Sequence, residues 1–178
     1  MNDADDAHIV LRCLDGDRQA FESLVSKYQK PVFNLALRMV KDYKDAEDIT
    51  QTAFVKAFEN LQSFSIRRKF FSWLYRIAIN ESLNFLSHRK RLEALGEDRV
   101  STDKSPEETV TEADQHDMVE HALMRLSPDY RSVVVLKHLQ GLSYKEIGDI
   151  LEIPEKTVKS RLFTARQQLK DLLTQAAR

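Results

Sequence analysis

Glycine and proline are scarce in this 178-residue chain, four of each, and cysteine occurs once. A single thiol excludes an internal disulfide. Cys13 lies in the apolar run HIVLRCL, where core packing explains it better than redox or nucleophilic chemistry. No apolar run approaches the ~18 residues that a membrane span requires. The first residues, MNDADDAH, are acidic where a signal peptide would be basic, so the chain is expected to stay in the cytoplasm without inserting into a membrane. Catalytic signatures are missing too. His8, His88, His116, His121 and His138 show no ligand spacing with cysteine or carboxylate, and there is no nucleophile motif, phosphate loop or dinucleotide fingerprint. Neither an enzyme nor a metal or cofactor site is expected.

With so few chain breakers, the abundance of Leu, Ala, Glu, Lys, Arg and Gln makes helix the local preference nearly throughout, and an all-α fold is predicted. Apolar residues make up 42% and charged residues 31%, a soluble globular composition. Net charge is only −1, but it is unevenly spread. Residues 1–92 carry 15 basic and 12 acidic side chains, residues 93–117 carry 2 and 9, and residues 118–178 carry 10 and 7. The middle segment is also poor in large apolar residues and cannot bury enough surface to offset its ordering entropy. The prediction is two small helical domains, 1–92 and 118–178, joined by a flexible acidic linker, 93–117.

From Arg18, Phe21, Leu24, Val25, Tyr28, Val32, Ala36 and Val40 recur at threes and fours, with Pro31 expected to kink or interrupt the helix. YKDAEDITQTAFVKAFENLQSF is amphipathic, and its early carboxylates Asp45, Glu47 and Asp48, beside Gln51, also suit the helix dipole. SFSIRRKFFSWLYRIAINESLNFLSHRKR combines Arg67, Arg68, Lys69 and Arg76 with Phe70, Phe71, Trp73, Tyr75 and Phe85. Cations can neutralise phosphates while aromatic faces stack on unpaired bases, so this stretch suits single-stranded nucleic acid. It would equally describe core aromatics with a solvated charged face. Trp73, Arg76, Asn80 and Asn84 share one side of the helix expected from about Phe71 to Arg91.

Turn signals sharpen near the end. Ser127 and Pro128 open a helix, Gly141 stops it, and SYKE forms a capping box before the short helix YKEIGDIL. A turn at residues 152–154 leads to a basic helix. Its core face is Val158, Leu162, Ala165, Leu169 and Leu172, leaving Lys156, Thr157, Lys159, Ser160, Phe163, Thr164, Arg166 and Gln167 outward. That is a helix-turn-helix, whose second helix enters the DNA major groove. A non-DNA helical hairpin remains the competing reading.

DAEDITQTAFVKAFENLQSF, FFSWLYRIAIN and LSPDYRSVVVLKHLQGLSYKEIGDILEIPEKTVKSRLFTARQQL together resemble the extracytoplasmic-function sigma factors of bacterial RNA polymerase. The resemblance implies a promoter-recognition subunit without catalysis. Its partners would be core RNA polymerase, promoter DNA and an anti-sigma factor, which the family usually has. It implies that Asp45, Glu47, Asp48 and Gln51 grip the polymerase. Asn80 and the loop Ser65 to Phe70, with Arg67, Arg68, Lys69, Trp73 and Arg76 nearby, would hold a melted strand. Lys159, Ser160, Phe163 and Thr164 would read the upstream element beside Lys156 and Thr157, with Arg161 and Arg166 on phosphates. Thr52, Asn84 and Lys156 depart from the family pattern. The alternative is a stand-alone helix-turn-helix regulator with a helical effector domain.

Overall fold

The structure is a computed structural model and describes residues 3–95 and 113–176, all of whose regular structure is helical. The first lobe comprises α1 (Asp3–Leu14), α2 (Phe21–Val40), α3 (Tyr43–Glu59) and α4 (Phe70–Ala94). Helices α2, α3 and α4 pack on one another around Leu24, Tyr28, Leu35, Met39, Ala53 and Leu74, all essentially buried. Asp6 fastens α1 to this bundle: its buried carboxylate accepts hydrogen bonds from Lys27 Nζ and Tyr28 Oη. The expected interruption at Pro31 does not occur, and α2 runs through it. A proline inside a helix costs about 3 kcal/mol. Burial of Tyr28, Val32 and Leu35 on either side offsets that loss. Asp42 caps α3 by accepting from the Asp45 amide at 2.9 Å.

The second lobe contains α5 (Ala113–Arg125), α6 (Pro128–Val134), α7 (Tyr144–Leu151) and α8 (Glu155–Ala176). Helix α6 ends in a widened π-type turn at Val135–Leu139 before Gly141, whose φ of 67° reverses the chain. The SYKE capping box is complete: Ser143 Oγ accepts from the Glu146 amide, and Glu146 accepts from the Ser143 amide. Between α7 and α8 the turn is tight enough that a Cβ on Gly148 would lie 2.8 Å from the Ile153 carbonyl oxygen. Glycine is required there by space. Helices α4 and α5 both reach into the stretch expected as linker; residues 96–112, which hold most of it, lie outside the described residues.

The lobes also pack on each other. Their buried apolar residues form one contiguous cluster, with α4 lying against α7 and α2 against α5 and the π-type turn. Arg131, only 4% exposed, sits at this junction. Its guanidinium donates to the carbonyls of Leu123, Met124 and Leu126 at the end of α5, and to that of Met39 in the last turn of α2. Helix C-termini leave carbonyls unpaired and carry partial negative charge. One cation therefore caps a helix from each lobe.

Candidate nucleic-acid and partner interfaces

Helix α8 divides as its sequence requires. Val158, Leu162 and Ala165 are buried and Leu169 half-buried, while Lys156, Lys159, Ser160, Phe163 and Arg166 are exposed and Thr157 and Thr164 half-exposed. Phe163 is 67% exposed, an aromatic ring held in water on the outward side of a helix-turn-helix. Apolar contact with a thymine methyl is one use for such a ring in the major groove. Two cations on this helix already have partners: Lys159 pairs with Glu155 at 2.8 Å, one turn earlier, and Arg161 with Asp129 at 3.1 Å. Lys159 also lies over the Tyr144 ring, and its bond to Glu155 raises its pKa. Arg166 approaches His138 at 3.3 Å; burial, followed by the charge of Arg166, lowers the His138 pKa.

On the first lobe, Arg67, Arg68 and Lys69 occupy the exposed loop before α4, and Trp73, Arg76 and Asn80 follow along that helix. Trp73 is half-buried, its ring 5.2 Å from Phe64 and 5.8 Å from Phe70, so one face belongs to an aromatic cluster. Asn80 is exposed. Arg67, Arg68, Lys69, Trp73 and Arg76 line one wall of a cleft of about 720 Å³, and α7 forms the other. Across that cleft Lys69 meets Glu146 at 2.9 Å. Arg76 donates to the Asp149 carbonyl at 2.9 Å and pairs with Glu152 at 2.9 Å. The structure thus gathers the expected strand-binding cations and sets acidic groups of α7 directly against two of them.

Glu47, Asp48 and Gln51 are exposed on α3, whereas Asp45 is half-buried. Burial, and then the neighbouring Asp42, push the Asp45 pKa up. Asp48 and Thr52 border a shallow groove shared with Glu81, Asn84, Phe85 and Arg91 of α4.

Sequence reasoning missed the groups that join the lobes. Glu146 was legible only as a capping residue, yet it also holds Lys69; its pKa falls to about 2, first through the Ser143 amide bond and also through Lys69. Tyr75 Oη donates to Gln140 Oε1 at 2.9 Å, and burial raises its pKa to about 12. Gln140 Nε2 reaches the Pro31 carbonyl at 3.5 Å. Partners 65 to 109 residues apart leave no local pattern.

The family model for Sigma-70 region 2 matches residues 24–92, and that for Sigma-70 region 4 matches residues 116–169. The chain is 35% identical over 170 residues to the ECF RNA polymerase sigma factor SigW of Bacillus subtilis (strain 168), covering 89% of this chain and 91% of that one. It is 35% identical over 176 residues to the RNA polymerase sigma-H factor of Pseudomonas aeruginosa, covering 92% and 91%. Among solved structures, CnrH in complex with the cytosolic domain of CnrY aligns with a TM-score of 0.73 at 26% identity, over 96% of this chain and 97% of that one. The sigma factor RpoE in complex with the anti-sigma factor NepR from Bartonella quintana aligns with a TM-score of 0.68 at 26% identity, over 86% and 96%.

Proposed function

The chain belongs to the extracytoplasmic-function sigma factors of bacterial RNA polymerase, and from that premise we propose how its surfaces share the work. As a sigma factor it binds core RNA polymerase, directs it to particular promoters and promotes the melting that opens transcription, with no catalysis of its own. The stand-alone regulator is set aside, since the first lobe matches Sigma-70 region 2 instead of an effector domain.

In our reading residues 1–92 bind polymerase and the start-proximal element, residues 93–117 connect, and residues 118–178 take the upstream element. The exposed α3 row Glu47, Asp48 and Gln51, with Asp45 behind it, faces polymerase. The loop Arg67 to Lys69 with Trp73, Arg76 and Asn80 receives the melted strand. On α8, Lys156, Thr157, Lys159, Ser160, Phe163 and Thr164 face bases, while Arg161 and Arg166 face phosphates once Arg161 leaves Asp129. The observation that carries this division is that each lobe has its own outward row of cations beside an aromatic ring, Trp73 on one and Phe163 on the other. The cytoplasm, where polymerase and promoters meet, is its proposed location. Among the described residues no helix is long and apolar enough to cross a membrane. An anti-sigma factor is a further proposed partner, as NepR is for RpoE.

Run-off transcription tests the reading. Core polymerase with the parent chain should yield promoter-specific transcripts, and charge reversal at Glu47 and Asp48 should abolish them by preventing holoenzyme assembly. Full assembly and activity in the charge-reversed variant would remove α3 as the polymerase surface.

A further inference from the structure

We propose that Asp6 and Tyr28 are positioning residues for promoter melting: through a stack of aromatic rings, α1 sets the place of Trp73 and of the cationic loop before α4. The inference rests on the reading that Trp73 and Arg67 to Lys69 receive the melted strand. Helix α1 lies before residue 24, where the match to Sigma-70 region 2 begins, so that match gives it no part in the work.

The stack runs inward from the surface. Trp73 is half-buried and rests on two rings, Phe64 at 5.2 Å and Phe70 at 5.8 Å. Those two meet edge-on at 5.6 Å. Phe70 in turn leans on Tyr28 of α2 at 5.8 Å, and the Tyr28 hydroxyl donates to the Asp6 carboxylate, which also accepts from Lys27. Asp6, Tyr28 and Phe70 are each at most 1% exposed. Aromatic pairs attract best when offset or edge-on, so each ring constrains the tilt of the next.

Phe64 and Phe70 also clasp the loop. They are the buried residues on either side of five exposed ones, Ser65 to Lys69, and inside that span the Arg68 amide donates to the Ser65 carbonyl at 2.9 Å. No side chain caps α4 at Lys69. A helix start without a cap lacks the bonds that would hold it locally. The place of Arg67, Arg68 and Lys69 is therefore decided by where Phe70 is seated, and Phe70 is seated on Tyr28.

At its inner end the stack meets a fully buried carboxylate paired with Lys27, where an apolar group would often serve stability as well or better. A hydrogen bond adds direction. The hydroxyl limits how far the Tyr28 ring can turn or slide, and a satisfied buried network locks its surroundings into one arrangement. A platform for unpaired bases needs that stillness, since displacements of ~1 Å can cost ~100-fold in reactions that depend on positioning.

The test uses the full chain in holoenzyme, on a promoter that the parent opens. Tyr28→Phe keeps the ring and removes the donor. It should leave holoenzyme assembly and closed complexes parent-like and lower the permanganate reactivity of promoter thymines about fivefold, the factor that one hydrogen bond is worth. Acrylamide quenching of Trp73, the sole tryptophan, should rise in the free variant. Asp6→Asn, which keeps an acceptor for Tyr28 but not the charge that holds Lys27, should fall between parent and Tyr28→Phe. Leu35→Val, a buried truncation about two turns further along α2, controls for plain destabilisation: it should lower Tm and leave thymine reactivity unchanged while the chain is folded. Parent-like reactivity in Tyr28→Phe would overturn the positioning role, and so would equal losses in Tyr28→Phe and Leu35→Val. In either case, failure of Trp73→Ala to open the promoter would leave the strand-binding assignment standing. If Trp73→Ala opens it as well as the parent, that assignment fails and the inference with it.

Discussion

Replacing Arg131 by methionine keeps the length of the side chain and removes every donor. Four carbonyls then lose a donor: Leu123, Met124 and Leu126 near the end of α5, and Met39 near the end of α2; Leu123 still accepts from the Leu126 amide, so three are left unpaired. A buried acceptor left unpaired costs ~1 to 3 kcal/mol. If one of the three reaches water by local fraying, two remain, for a loss of about 4 kcal/mol. No longer burying a cation returns part of this; burial pushes the Arg131 pKa down to about 10, so the group is still charged at neutral pH and its desolvation is a real opposing cost. A net loss of ~3 kcal/mol follows, which for a chain of this size lowers Tm by ~6 to 12 °C. Circular dichroism at 222 nm during a thermal scan measures it. Arg131→Lys supplies a point charge without the planar fork and should recover less than half of the loss. A drop below about 2 °C for Arg131→Met would refute the double-capping role, since packing alone would then suffice.

Asn80→Ala should leave polymerase binding near normal while reducing open complexes, read as weaker permanganate reactivity of promoter thymines; equal reactivity would remove Asn80 from the strand-binding surface. Lys159→Ala should cost ~1 to 3 kcal/mol on the preferred site and relax preference at one position, whereas Arg166→Ala should weaken all sequences alike and flatten the salt dependence. Since Lys159 must first leave Glu155, its effect should fall toward the low end, and selection from a randomised upstream element would expose an unchanged preference. Glu146 titrates at about 2 in the folded chain against an ordinary 4.5, so its stabilising contribution is complete above 4.5 and lost as pH falls toward about 2. Acid unfolding of Glu146→Gln should lack that component, and identical acid limbs for variant and parent would contradict the bonding seen at Ser143 and Lys69.

The elements that sequence made legible are those whose causes are local. The capping box at Ser143, the α8 core stripe and the amphipathic face of α3 each arise within a few residues; the box occurs as read, while Leu169 and Leu172 at the end of the α8 stripe are only half-buried and Phe58, expected on the apolar face of α3, is exposed. Pro31 does not interrupt α2, because burial of its neighbours outweighs a local penalty. Asp45, Glu47, Asp48 and Gln51 could be placed on one helix, but the partial burial of Asp45 depends on what packs beside it. Arg131 had no signature at all: arginine is seldom buried, and its acceptors are backbone carbonyls, which every residue possesses. The α7 contacts with Lys69 and Arg76 were illegible for a related reason, since they depend on how two lobes meet.

Glu152 adopts φ 55° at the end of α7, a left-handed conformation that glycine or asparagine would hold with less strain. The same side chain faces Arg76 from the other lobe. Local comfort and interlobe attraction thus pull this position toward different residues, a small frustration written into the chain. A sequence shaped only for a rigid turn would carry glycine here and surrender its hold on Arg76. Keeping a carboxylate makes the helix-turn-helix slightly less stable than it could be, and lets the shape of one turn be felt at Arg76 in the neighbouring lobe.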